Sequence, residues 1–186
     1  QEWKKVVIEN IEGVNGPLSE GGFELSDVSG IKSKVFMVGT ERIMSPDSGS
    51  LILYNNGTEW ERFNPRPGGF LQKIYIHDIN NIWTGGSYST VYNYDGKNWI
   101  NHALSLPEDF NSGLYTEIGG ISGNDNNNIY LKISDLMGHD YLMHYNGSIW
   151  SVADYLQGNY DEGEIWVSPS GIVYSIANNR ISKWDG

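Results

Sequence analysis

A short segment in which a tyrosine precedes Gly-x-x-Trp recurs along the chain, and it limits the fold more than any other feature. Copies run from Tyr54 to Trp60, from Tyr94 to Trp99 and from Tyr145 to Trp150. A fourth copy is divided, because the chain ends in Trp184-Asp185-Gly186 and begins Gln1-Glu2-Trp3. Self-similarity of this kind is typical of architectures that repeat one supersecondary unit. The chain is therefore predicted to contain four copies of one unit.

Each copy follows a second pattern, in which two apolar runs flank a polar turn. In the second unit, residues 74–76 and the pair Ile82-Trp83 flank the turn 77–81. Apolar runs joined by Asn-Gly or Asp-Gly pairs indicate antiparallel hairpins. Four antiparallel strands per unit make one blade of a β-propeller. The sequence thus predicts an all-β fold, a four-bladed antiparallel β-propeller with almost no helix.

The blades are predicted to divide a single domain, residues 1–186. Their expected bounds are roughly 9–63, 64–104, 105–155, and 156–186 together with 1–8. In this arrangement the segment from Trp3 to Ile8 adds the outer strand to the last blade and closes the ring without a covalent bond. Closure of this kind removes unpaired strand edges, which otherwise tend to pair with other chains.

The clearest copy of the unit combines Ile82-Trp83-Thr84-Gly85-Gly86 with Tyr94-Asp95-Gly96-Lys97-Asn98-Trp99. In this pattern the chain resembles the repeats of bacterial extracellular β-propellers. The Gly-x-x-Trp ending also resembles a degenerate Asp-box hairpin, although the Ser and Asp that begin a full Asp-box are missing from all four copies. The resemblance implies the propeller fold, and such repeats specify a fold rather than an activity.

Composition and charge exclude several classes of function. The chain has 12 basic and 23 acidic residues, a formal net charge of −11, so its field repels a phosphate backbone and no nucleic-acid partner is expected. It has no cysteine, which excludes a disulfide scaffold and thiol catalysis. No stretch approaches the roughly 18 consecutive apolar residues of a transmembrane helix.

The composition also carries an expectation about location. An acidic chain that is rich in Gly, Asn and aromatic residues and lacks cysteine resembles an exported bacterial surface protein. The expected location is therefore secreted or at the cell surface, and a lipid anchor upstream of Gln1 is left open.

Aromatic residues outside the repeat pattern are the first candidates for a ligand site. Phe23, Phe70, Tyr115 and Tyr160 each fall in a connector just before a predicted inner strand, near the mouth of the expected central channel. Aromatic rings beside polar side chains bind sugar faces and other ligands. A hydrophobic plug that closes the disc explains the same four residues, so both interpretations stay open.

Two acidic pairs, Glu108-Asp109 and Asp161-Glu162, fall in the same connectors. Facing carboxylates about 5–10 Å apart carry out glycoside hydrolysis. A solvated acidic loop is the alternative in a chain with 23 acidic residues. The histidines are His77, His102, His139 and His144, and their spacing matches no metal motif, so no metal site and no cofactor are expected.

Together these patterns predict a non-enzymatic binding module that recognises a glycan or protein partner through the connector face of the propeller. The expected ligand-binding residues are Phe23, Phe70, Tyr115, Tyr160, Glu108, Asp109, Asp161 and Glu162. The alternative function is a glycan-active hydrolase that uses the paired carboxylates at the channel mouth. A third reading is that the chain comprises four blades of a larger propeller.

Overall fold

A computed structural model describes residues 23–41, 49–63, 67–110, 116–135, 137–156, 163–177 and 180–186. These residues form four antiparallel sheets in chain order. The first sheet comprises β1 (Phe23–Ile31), β2 (Lys34–Glu41), β3 (Gly49–Asn55) and β4 (Trp60–Arg62). The second comprises β5 (Leu71–Asp78), β6 (Asn81–Gly86), β7 (Thr90–Tyr94) and β8 (Trp99–His102). The third comprises β9 (Glu117–Asp125), β10 (Asn128–Ser134), β11 (Asp140–Tyr145) and β12 (Trp150–Leu156), and the fourth β13 (Ile165–Val167), β14 (Val173–Ala177) and β15 (Arg180–Trp184).

The predicted all-β class and the four antiparallel units are confirmed. Three sheets have four strands each, and the fourth has three strands within the described residues. No helix in the described part of the chain is long and apolar enough to cross a membrane. The division of the chain into a single domain with the stated blade bounds stays a prediction.

The Asx-Gly turns that join the two outer strands of each four-stranded sheet follow one design. The Asn56 side-chain oxygen accepts the backbone N–H groups of Thr58 and Glu59, at 2.9 and 3.2 Å. Asp95 likewise accepts the N–H groups of Lys97 and Asn98. Asn146 accepts those of Ser148 and Ile149. The intervening glycines Gly57, Gly96 and Gly147 all have positive φ. The repeated sequence motif is therefore a local hairpin device, as its composition indicates.

Neighbouring sheets are joined at their inner strands by a repeated hydrogen bond. The Asp27 carboxylate of β1 accepts the N–H of Ile74 at 2.9 Å. In the next interface, the Gln72 side-chain oxygen accepts the N–H of Ile118 at 3.1 Å. In the third, the Ser122 hydroxyl oxygen accepts the N–H of Val167 at 3.0 Å. Each bond satisfies a backbone donor of one inner strand with a side chain of the preceding one.

An apolar cluster fills each of the three interfaces between successive sheets. Phe36, Val38 and Ile52 of the first sheet pack with Leu71, Ile74 and Ile82 of the second. Trp83 and Val91 of the second sheet pack with residues of the third such as Ile129 and Trp150. Tyr130 and Leu142 of the third pack with Ile165, Val167 and Val173 of the fourth. The core is thus divided into layers between sheets, as expected of propeller blades.

Closure of the ring stays a prediction. The closing segment from Trp3 to Ile8 lies outside the described residues. The first and last inner strands, β1 and β13, do not pack against each other as β1 with β5, β5 with β9 and β9 with β13 do. On the fourth sheet, Trp166, Ile176 and Ile181 are 56%, 56% and 75% exposed. Within the described residues, no apolar cluster joins the fourth sheet to the first.

Second strands approach the start of the inner strand very closely at two glycines. A Cβ atom on Gly39 would lie 1.9 Å from the carbonyl oxygen of Glu24, and a Cβ atom on Gly86 would lie 1.9 Å from that of Phe70. Neither glycine has positive φ. Glycine is therefore required at these positions because a side chain would collide with the neighbouring strand, and not because of the backbone conformation. Both lie beside a β-bulge of the inner strand, which bends the strand toward its neighbour.

Replacing Gly39 with alanine is therefore expected to destabilise the protein by about 2–3 kcal/mol, because the backbone of β1 must move. The control is Gly57→Ala, at a position with φ +107° and no atom within 4 Å of the added Cβ. That change is expected to cost only about 1 kcal/mol, from the strained backbone conformation. Urea unfolding of both variants measures the difference, and equal costs would contradict the close approach of β1 and β2.

The tryptophans of the repeat differ in burial. Trp150 is 1% exposed, whereas Trp60 and Trp99 are only half-buried. Trp150 packs at 5.6 Å from Trp83, between the second and third sheets. Trp99 lies against Phe63 and Tyr94 at the edge of the preceding interface. The same position of the repeat is therefore fully buried in the third sheet and half-buried in the first and second.

Because of this difference, the costs of tryptophan removal are expected to be unequal. Trp150→Ala should lower the free energy of unfolding by about 3–5 kcal/mol, as other large-to-small aromatic changes do in a full core. Trp99→Ala should cost less, since part of its ring is already in water. Chemical denaturation of the two variants measures this, and equal losses would show that the half-buried ring is as tightly packed as the buried one.

Candidate binding site on the connector face

One end of the sheets, here called the connector face, carries the segments between sheets and the loops between second and third strands. Antiparallel pairing places Phe23, at the start of β1, beside Glu41 at the end of β2. It likewise places Leu71 beside Gly86, so the β6–β7 loop lies at this same end. The Asx-Gly turns lie at the opposite end. Phe23 and the described residues just before β5 therefore share a face with the β6–β7 loop.

Four of the eight predicted ligand residues lie in the described part of the chain, and they fall on three different segments of this face. Phe23 packs partly against Leu51 and Leu53 of its own sheet. Phe70 is 39% exposed, and Glu108 and Asp109 are exposed in the β8–β9 connector. Tyr115, Tyr160, Asp161 and Glu162 lie outside the described residues. The binding roles assigned to all eight stay predictions.

A cavity of about 630 Å³ opens on the connector face between the β6–β7 loop and the β8–β9 connector. Its lining combines an apolar wall from the connector with polar groups from the strand ends. The lining residues are Tyr88, Ser89, Thr90, Asn101, His102, Ala103, Leu104, Leu106, Pro107 and Phe110. Mixed linings of this kind suit ligands that present both apolar and hydrogen-bonding groups.

The β6–β7 loop at the rim of this cavity holds two residues in a strained backbone conformation. Tyr88 has φ 62° and Ser89 has φ 56°. Glycine and asparagine favour this left-handed region, whereas a tyrosine there costs about 1–3 kcal/mol and persists only where the surroundings enforce it. The Tyr88 side chain is 46% exposed. The loop therefore holds an aromatic ring in solvent at a conformational cost.

Hydrogen bonds within the loop and from neighbouring segments hold it in this conformation. Thr116, which precedes β9 and is 2% exposed, accepts the Ser89 N–H with its hydroxyl oxygen at 2.6 Å. The Thr90 hydroxyl donates to the Ser87 carbonyl at 2.8 Å. The Ser87 N–H donates to the Phe70 carbonyl at 3.0 Å. Contacts from two connectors thus hold Tyr88 in place.

His102 forms part of the floor of the cavity and belongs to an aromatic cluster. Its ring lies 4.9 Å from Trp83 and 5.2 Å from Tyr145. Burial lowers the pKa of His102, so the ring is neutral at pH 7. Within the described residues, His102 Nε2 and the indole nitrogens of Trp83 and Trp150 have no hydrogen-bond partner. His102 therefore contributes an uncharged ring to the cavity lining, backed by buried aromatic residues.

Asp109, in the connector, is tied to the third sheet. The Tyr141 hydroxyl donates to its two carboxylate oxygens, at 3.0 and 3.2 Å. Burial first, and then the hydrogen bond to Asp109, raises the pKa of Tyr141 to about 12. The phenol consequently stays protonated and remains a donor at neutral pH. This bond fixes one rim of the cavity to the adjacent blade.

The β10–β11 loop beside Tyr141 is organised by a buried carboxylate. Asp135 is fully buried and accepts the N–H groups of Met137 and His139, at 2.8 and 2.9 Å. Its other oxygen lies 2.8 Å from His139 Nδ1. This hydrogen bond raises the pKa of His139, and the Asp109 carboxylate contributes in the same direction. Across the described ranges, no group of three or more His, Asp or Glu side chains is placed to hold a metal ion.

Sequence reasoning did not single out Tyr88 or His102 as ligand contacts. The signal for Tyr88 was an aromatic residue in the three-residue loop 87–89, directly after Gly85-Gly86. Such loops favour glycine, asparagine and aspartate, so an aromatic residue there breaks a local rule. Departures from local preference are expected at functional or strained positions.

Among comparisons with known proteins, only the comparison with solved structures found a match, and it supports the fold alone. No protein-family model matches the chain, and no curated protein matches it. A solved structure described as "YCF48 bound to D1 peptide" is similar, with a TM-score of 0.52 and 15% sequence identity. The match covers 88% of this chain and 49% of that one, so this chain spans about half the length of its neighbour. The neighbour is a β-propeller protein, which supports the propeller fold of this chain.

The pair of His139 and Asp135 predicts a pH-dependent contribution to stability. Because the hydrogen bond raises the pKa of His139 in the folded state, the contribution is full below the unfolded pKa of about 6.5 and is lost as the pH rises through the folded value. We therefore expect the stability difference between the wild type and His139→Gln to be larger at pH 5.5 than at pH 8.5. Urea unfolding at the two values measures it. A difference that does not change with pH would contradict the pairing.

Proposed function

We propose that this chain is a non-enzymatic binding module that captures a peptide segment of a protein partner in the connector-face cavity. The observation that carries the proposal is the Tyr88 ring, held half in solvent at the cavity rim by a strained and clamped loop. Strain of this kind clusters at ligand clamps, because selection for stability alone would replace the residue. A glycine would form the same loop at lower cost.

The cavity itself suits an extended peptide. Leu104, Leu106 and Phe110 offer apolar groups to the lining, and Asn101 with Ser89 adds amide and hydroxyl groups. Extended segments bind through alternating apolar anchors and backbone hydrogen bonds. The similar structure, whose description names a bound peptide, adds support, because it shares the propeller fold of this chain.

A glycan is the second candidate ligand, and one observation favours it. The exposed ring of Tyr88 lies on the same cavity as Asn101, and sugar faces stack on such rings while their hydroxyls bond to amides. An exported or surface location fits either ligand and remains part of the proposal.

The hydrolase alternative has less support. Of its four proposed carboxylates, only Glu108 and Asp109 lie in the described residues, next to each other in one connector. A glycosidase needs carboxylates that face each other across the scissile bond. Asp109 is instead bound to the Tyr141 hydroxyl, which holds it against the neighbouring sheet.

The decisive experiment replaces the strained tyrosine with glycine. Tyr88→Gly relieves the backbone strain, so its free energy of unfolding should stay the same or rise by up to about 1 kcal/mol. Peptides selected on the wild type from a random twelve-residue display library should bind this variant at least tenfold more weakly. Unfolding curves and fluorescence anisotropy with the synthetic peptides measure the two effects.

The matched control is Lys32→Gly. Lys32 also has positive φ, 56°, but lies in the β1–β2 turn at the opposite end of the sheets. It should show a similar change in stability and unchanged peptide affinity. Selected peptides that bind Tyr88→Gly as well as the wild type would refute the proposed site. Binding on a neutral glycan array that is lost in Tyr88→Gly would favour the glycan, and turnover in a chromogenic glycoside panel would favour the hydrolase.

A further inference from the structure

Two acidic residues lie beside the cavity in a turn of the β8–β9 connector. The N–H of Phe110 donates to the carbonyl of Pro107 at 3.1 Å, and both of these residues line the cavity. Glu108 and Asp109 are the two central residues of that turn, and both are exposed. In a turn of this type the first and fourth Cα atoms lie within about 7 Å of each other. Both acidic residues therefore lie in the connector directly between two residues that line the cavity.

The two carboxylates differ in how they are held. Asp109 accepts the Tyr141 hydroxyl with both oxygens, which fixes its position. Glu108 has no hydrogen bond or ion pair to any residue that the structure describes. Asp109 thus gives a fixed negative charge, and Glu108 gives an acceptor that is free to close on a ligand.

Among the described residues that line the cavity, no side chain carries a fixed positive charge. The cavity lining contains no lysine or arginine, and burial lowers the pKa of its only histidine, His102. Elsewhere on this face, Lys73 pairs with Glu164 and Arg62 with Glu41. Arg180 is exposed at the start of β15, on the fourth sheet, whereas the cavity is lined by residues of the second sheet and of the connector that follows it. His139 lies close enough to Asp109 to be affected by its charge, but its hydrogen-bond partner is Asp135. With a net charge of −11 on the whole chain, an anionic ligand is repelled and a cationic one attracted.

We propose that the ligand is a basic peptide segment in which a lysine or arginine lies beside an apolar residue. This inference rests on the proposed function, since it names the class of peptide that the same cavity takes. The apolar side chain enters between Leu104, Leu106 and Phe110. The cationic head meets Glu108 and Asp109 through charge-assisted hydrogen bonds. The exposed face of Tyr88 offers a further contact, because aromatic rings attract ammonium and guanidinium groups.

The test begins with peptides selected on the full chain from the random twelve-residue display library. Those that depend on Tyr88, judged by weakened binding to Tyr88→Gly, should be enriched in lysine and arginine and depleted of aspartate and glutamate. A synthetic peptide of this set should bind Glu108→Lys at least tenfold more weakly than the wild type and Glu108→Gln about three- to tenfold more weakly, because a net ion pair at a partly exposed site is modest.

The control for overall charge is Glu59→Lys. Glu59 is exposed in the β3–β4 turn at the opposite end of the sheets, and its substitution changes the net charge by the same amount as Glu108→Lys. It should alter the affinity less than twofold. Equal losses in the two lysine variants would show long-range attraction without a rim contact and would overturn the assignment of Glu108.

The remaining outcomes separate this inference from the proposed function. Peptides that depend on Tyr88 but are uncharged or acidic would overturn the basic-peptide assignment and leave peptide binding intact. Selection that yields no peptide dependent on Tyr88 would overturn both. Circular dichroism of each variant establishes that it is folded before affinities are compared.

Discussion

The hydrogen bond from the backbone of one inner strand to a side chain of the preceding inner strand governs how the sheets are arranged. Asp27, Gln72 and Ser122 accept this bond at the three successive interfaces. Inner strands of neighbouring sheets share no ladder, so a backbone N–H between them needs a side-chain acceptor to avoid the cost of burial without a partner. These bonds set the spacing of the sheets, and the apolar layers then fill the wedge between them. The positions of the connectors, and hence of the cavity, depend on that spacing.

The cavity is formed by segments that belong to neighbouring sheets. The β6–β7 loop of the second sheet is held by Thr116, which leads into the third sheet. The β8–β9 connector is held in turn by Tyr141 of the third sheet. Because each wall is fixed from the adjacent blade, the site is preorganised, and a ligand loses less free energy in ordering it. Strain at Tyr88 is tolerated for the same reason, since the clamp compensates for an unfavourable local conformation.

Charge and shape point to the same kind of ligand. One fixed and one free carboxylate beside the cavity, an uncharged histidine ring and an apolar wall are complementary to a basic and partly apolar segment. The exposed apolar face of the fourth sheet, with Trp166, Ile176 and Ile181, lies outside this site. A closed ring would place the face of another blade against it.

The sequence by itself determined the four antiparallel sheets, because hairpins and Asx-Gly turns depend on residues close together in the chain. It also placed Glu108 and Asp109 in a connector, where the structure finds them. Only the tertiary structure decided that Trp150 is fully buried while Trp99 is half-buried, that Tyr141 holds Asp109, and that Tyr88 and His102 share a cavity. These contacts join residues far apart in sequence, and the acceptors that align the sheets are an Asp, a Gln and a Ser. Because three different residue types accept this bond, the sequence carries no repeated motif at these positions. The backbone N–H requires an oxygen atom at hydrogen-bond distance, and side chains of several types can supply it.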